Sequence, residues 1–87
     1  MLKGKTQSGF EFEVNEQAMT DFRLLDLLSD IEDGDISASV KALTFLLGKE
    51  QKNRLYEFCT NEDGYVPADK VIELFGEIMN SCKELKN

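Results

Sequence analysis

The sequence predicts an α+β fold: an N-terminal β-hairpin packed on a small bundle of about four helices. Three observations predict it. Phe10, Phe12 and Val14 alternate with Glu11 and Glu13, the period of two that marks a half-buried strand. From Asp21 onward the apolar residues instead recur at helical spacing. Gly34, Gly48 and Gly64 then cut that helical stretch into pieces, and Pro67 reopens it, as glycine ends helices and proline suits their first turn.

Residues 1–87 are expected to form a single domain, with the hairpin over 2–14 and the helical part over 20–83. Leu2 to Thr6 is the strand opposing Phe10–Val14, joined to it through Gln7, Ser8 and Gly9. Two strands alone are marginal in water, so the Phe10/Phe12 face must lie either on the chain's own helices or on another chain. Asn15 caps a first short turn. Thr20 or Asp21 then opens a helix to about Asp33, with Phe22, Leu25, Leu28 and Ile31 at three-residue steps. Leu24 and Leu27 widen its apolar face, a breadth that implies burial among several neighbours. Ser37 is the expected cap of the next helix, which carries Val40, Leu43, Leu46 and Leu47 and stops at Gly48. A third runs from Lys49 to Thr60, with Leu55, Phe58 and Cys59 inward and the basic residues Lys49, Lys52 and Arg54 on a solvated face. The last helix starts near Pro67 and ends near Lys83, with Val71, Leu74, Phe75, Ile78, Met79 and Cys82 on one stripe and residues 84–87 frayed.

Composition bounds the function. Ten basic against 17 acidic side chains give a net charge of −7, which repels nucleic acid and anionic membrane alike. No apolar run reaches the ~18 residues of a membrane span, and MLKGKTQSG lacks the apolar region of a signal peptide, so a cytoplasmic location is expected. In that reducing compartment Cys59 and Cys82 are small buried hydrophobes rather than a disulfide. Histidine is absent, which removes His-based triads, His metal ligands and the usual general base together. Two acidic glycine turns invite a calcium reading that fails on position. Aligning Gly64 with the glycine of a twelve-residue loop puts Cys59 first and Lys70 last, where carboxylates are required. Aligning Gly34 puts Ser29 first and Val40 last. No phosphate loop, paired metal-spaced cysteines or nucleophile elbow occurs, so neither enzyme activity nor a cofactor or metal is expected.

What remains is binding. Six Phe and three Met supply adaptable apolar area, most of it for the core. The candidates for a partner-binding surface are Phe10, Phe12 and Tyr65, because a two-stranded hairpin and a loop are hard to bury fully in a domain this small.

Four segments, LKGKTQSGFEFEV, DFRLLDLLSDIEDGD, FLLGKEQKNRLYEF and NEDGYVPADKVIELF, resemble in that order the small tail assembly chaperones of long-tailed phages and prophages of Gram-positive bacteria. LLGKEQ followed by RLYEF, and DGYVP opening the last helix, carry most of the likeness. Cys59-Thr60 departs from it, standing where a charged pair is expected. The resemblance implies a small acidic α+β protein that binds the tape measure protein or the major tail (tube) protein before assembly. It also implies a place in the bacterial host cytoplasm, absence from the finished virion, possible self-association, and in some members a longer frameshifted form. A rival from another class is a small acidic inhibitor or immunity-type protein that blocks a basic surface. A regulatory helical module is a third. The carboxylates lie scattered from Glu11 to Glu77 rather than in one strip, which favours solubility over charge mimicry.

Overall fold

Residues 1–86 are described by a computed structural model, with side chains described to Lys83. The order is β1 (Leu2–Lys5), β2 (Glu11–Val14), α1 (Glu16–Met19), α2 (Phe22–Glu32), α3 (Ile36–Cys59) and α4 (Ala68–Lys86). This is the α+β arrangement the sequence predicts, a two-stranded antiparallel hairpin followed by helices. The α4 helix runs on to Lys86, so residues 84–86 are helical rather than frayed, and Asn87 lies outside the described residues.

The hairpin pairs Leu2 with Val14 and Lys5 with Glu11. Its turn is held by Thr6, a buried polar residue whose N–H donates to the Phe10 carbonyl at 2.9 Å and whose Oγ1 accepts from the Phe10 N–H at 2.9 Å. Gly9 supplies the left-handed residue of that turn, with φ 100°. The inward side chains Phe10, Phe12 and Val14 join Leu43, Leu47, Leu55, Leu74 and Ile78 in one core. The strand's apolar face is therefore covered by this chain's own helices. On the far side of β2 the Gln51 side chain accepts from the Glu13 N–H at 2.7 Å and donates to the Glu13 carbonyl at 2.8 Å. Arg54 donates to the Glu11 carbonyl at 3.2 Å and its guanidinium stacks 5.6 Å from the Phe10 ring centre.

Carboxylate and amide caps start three of the helices. Asn15 accepts from the Gln17 N–H, Asp21 from the Arg23 N–H and Asp35 from the Ser37 N–H. The cap of α3 is thus Asp35, not Ser37. Ser37 sits one residue inside the helix, and its hydroxyl donates to the same carboxylate at 2.6 Å. Among the described helices the break at Gly48 is the sharpest event. Its φ of 78° and ψ of 166° are non-helical, so α3 is two segments, 36–47 and 49–59, joined without a loop. An L-residue with a side chain resists that φ, which is why glycine stands there.

Helix α2 departs from expectation. It packs chiefly on α3, so only one side is covered. Leu24 is buried and Leu27, Leu28 and Ile31 are half-buried against the core, but Phe22 is 80% exposed and Leu25 also faces solvent. A broad apolar stripe did not mean burial on all sides. Nor is Lys49, Lys52 and Arg54 simply a solvated face. Arg54 is tied to β2 as described, and Lys52 donates to Thr44 Oγ1 at 2.9 Å and lies 6.0 Å over the Tyr56 ring.

Asp21 carries the clearest electrostatic shift. Hydrogen bonds from the Arg23 side chain, then from its backbone N–H, lower its pKa from 3.8 to about 2. Arg23 in turn reaches across to α3, 5.2 Å over the Phe45 ring. A carboxylate held below its unfolded pKa stabilises the fold above that value, and the contribution is lost as pH falls through the folded value. The Asp21→Asn variant keeps a capping oxygen but loses the charge. It is expected to melt below the parent at neutral pH, the gap closing as pH falls from 3.8 to about 2. Thermal melts across that range check it, and a constant gap would rule out the charge as its source. Arg23 is exposed and Asp21 partly so, and added salt should therefore shrink the gap.

Candidate functional site

The residues named from sequence divide two ways. Phe10 and Phe12 are core residues, the latter only 2% exposed, and offer a partner no surface. The α3 and α4 helices cover them, and Phe58 stacks edge-on against Phe10 at 5.5 Å, itself remaining partly exposed. Tyr65 is the reverse: its side chain is 73% exposed.

Tyr65 is nevertheless fixed at its backbone. Asn61 N–H donates to the Tyr65 carbonyl at 2.8 Å, and Asn61 Oδ1 accepts from the N–H groups of Asp63 and Tyr65, each at 3.0 Å. Gly64, at φ 86°, supplies the left-handed residue that lets this turn close. The Asn61 side-chain oxygen is thus spent on turn geometry. Among the described residues no group of three or more His, Cys, Asp or Glu converges as metal ligands.

Beside that turn lies an apolar groove of about 390 Å³. The first segment of α3 contributes Ile36, Ser39, Val40 and Leu43, and its second segment contributes Tyr56. Val66 and the start of α4, with Ala68, Val71 and Ile72, form the opposite wall. Local sequence explains the shape. Ile36, Val40 and Leu43 lie at helical steps on one side of α3, and the Gly48 break turns the chain so that Tyr56 comes back against that side. Leu43 is buried and Val71 and Tyr56 are half-buried, whereas Ile36 (73%), Val40, Val66 and Ile72 (51%) remain exposed. No lining residue is charged.

Only Tyr65, next to Val66, connects this groove to the residues named from sequence. A signal for the others was present: Ile72 is a large apolar residue lying off the α4 core stripe of Val71, Leu74, Phe75 and Ile78, and it has no burial to account for it. Ile36 was hidden by the misplaced cap, which left it outside the helix.

A second, wider depression of about 1040 Å³ lies between the outer face of the hairpin and the Gly48 break. It is lined by charges of both signs, including Lys3, Lys5, Lys49, Glu11 and Glu50, with Lys3 paired to Glu13 at 3.6 Å. Mixed charge of this kind selects no ligand class. The two thiols offer no chemistry either. Cys59 and Cys82 are free and buried, and burial pushes both pKa values up, away from the reactive thiolate. No described helix is long and apolar enough to cross a membrane. Comparison with protein-family models, with curated proteins and with solved structures finds no match to this chain.

Proposed function

We propose that this chain is a non-catalytic protein-binding domain that acts as a tail assembly chaperone of a long-tailed phage or prophage. It holds the tape measure protein or the major tail protein in the host cytoplasm until assembly, and does not enter the finished particle. One observation carries the binding half of this reading. In a chain of which 31% is charged, the groove beside Tyr65 has no charged lining residue and keeps four large apolar side chains exposed. Leaving that area in water has a free-energy cost that a partner removes. The resemblance of LLGKEQ, RLYEF and DGYVP to tail assembly chaperones supplies the other half, and the net charge of −7 suits a carrier that must keep an aggregation-prone partner dissolved. The rival, a blocker of a basic surface, calls for a carboxylate-lined contact, and the groove has none.

Co-expression tests the proposal. The tape measure and major tail proteins of the same genome are produced with and without this chain, and their solubility and co-purification are measured. At least one is expected to become soluble and to co-purify. If neither responds, and the chain instead captures a basic protein in a steeply salt-dependent way, the blocker reading replaces this one.

A further inference from the structure

The chemistry of the groove narrows what it takes. Its walls are chiefly helix, whose interior backbone groups are hydrogen-bonded within themselves; open backbone is confined to the first turns at Ile36 and Ala68 and to the Val66 stretch. Of the lining side chains only Ser39 and Tyr56 carry a polar atom. An extended segment laid there would bury a row of N–H and C=O groups with few partners to receive them, and each one left unmade is costly. A helical segment satisfies its own backbone and presents only side chains, the mode in which apolar anchors at i, i+3/i+4 and i+7 enter a groove.

Charge then selects among helices. Asp35 stands immediately before Ile36 and Asp69 immediately after Ala68, both exposed, and Glu62 and Asp63 lie in the turn leading to Tyr65. Lys41, Lys70 and Lys52, the last lying over the Tyr56 ring, offset part of this, but the field at longer range is that of a chain at −7. A second copy offering α2 is the wrong sign. The exposed apolar face that Phe22 and Leu25 make on α2, outside the groove, shares that helix and its cap with Asp21, Asp26, Asp30 and Glu32 against Arg23 alone.

From this we infer that the groove receives the apolar face of an amphipathic partner helix whose polar face carries Lys and Arg. The inference rests on the protein-binding reading above and names the chemistry of its partner.

Two labelled probe peptides of about 18 residues, long enough for several helical turns, decide it. Both carry Leu at i, i+3/i+4 and i+7 on one face. The other face is Lys in one and Glu in its twin. Fluorescence anisotropy is measured with the full chain and with a Val40→Asn/Ile72→Asn double variant, which removes groove area without adding charge. Circular dichroism and a thermal melt confirm that the variant is folded, and sedimentation reports the oligomeric state of both proteins. The Lys peptide is expected to bind the parent at least about tenfold tighter than the Glu peptide, and to lose at least about tenfold in the double variant, each step being ~1.4 kcal/mol. Equal binding of both peptides, lost in the variant, overturns the charge assignment while leaving the groove as a docking site. Lys-peptide binding that survives in the variant is mere charge attraction and overturns the inference. Binding of neither peptide overturns it and the groove's docking role together. A parent dimer that dissociates in the variant assigns the groove to a second copy instead.

Discussion

Replacing Phe12 with alanine is expected to cost about 3–5 kcal/mol of stability, the range for a large aromatic removed from a packed core. The side chain is 2% exposed and sits among residues from both α3 and α4, so the space it leaves cannot be closed by one element moving. A domain of this size has only about 5–15 kcal/mol in total, so the variant should be marginal at best. Urea unfolding followed by circular dichroism measures the loss. Glu11→Ala, one residue away on the outer face, serves as its control and should change stability by less than ~0.5 kcal/mol. A Phe12→Ala loss under about 1 kcal/mol would show that the hairpin does not pack on its own helices. The same burial means that a Phe10 or Phe12 variant failing to bind a partner reports on folding and not on an interface.

The opposite pattern is expected of the groove. Val40 and Ile72 are large, apolar and about half exposed, and both sit on helices that Asn tolerates with little change in propensity from a β-branched residue. Changing both to Asn should therefore move the unfolding midpoint little, by no more than about 0.5 kcal/mol for each site. Under the proposed chaperone role it should nevertheless abolish solubilisation of a co-expressed tail protein, because the apolar area that rewards docking is gone. A hot-spot pair at the centre of an interface loses about 2 kcal/mol or more for each truncation, a far larger effect than the fold suffers. If the double variant solubilises its partner as well as the parent does, the groove is not where the partner sits. Set side by side, the two variants separate a residue that holds the fold from residues that serve it.

The division between what could be read from the chain and what could not follows from how residue pattern works. Alternation in FEFEV and glycines at 34 and 48 are local signals with local outcomes, and the strand and the two helix breaks lie where they point. Alternation says which side of a strand is apolar. It is silent on what covers that side, so Phe10 and Phe12 read alike whether they face α3 and α4 or another molecule. The stripe on α2 fails for the same reason: Phe22 and Leu25 sit at core spacing, but a helix packed chiefly on one neighbour has core on one flank only. Asp35 and Ser37 are both good caps, and two residues of separation decide whether Ile36 is loop or helix. The groove was the least legible part. It is assembled from three stretches distant in sequence, brought together by the fold at Gly48 and by the Asn61 turn, and no window along the chain contains it.

A two-stranded sheet has two borders along which a foreign strand could add, and such borders are where soluble proteins begin to form fibres. Along β2 the outward backbone groups of Glu13 are already occupied in both directions by one amide, that of Gln51, which also donates to the Leu47 carbonyl at 2.9 Å. The carbonyl of Glu11 is held by Arg54. An invading strand would have to break those bonds before making its own, so this border is closed to cross-β growth by two side chains of a helix, without a third strand.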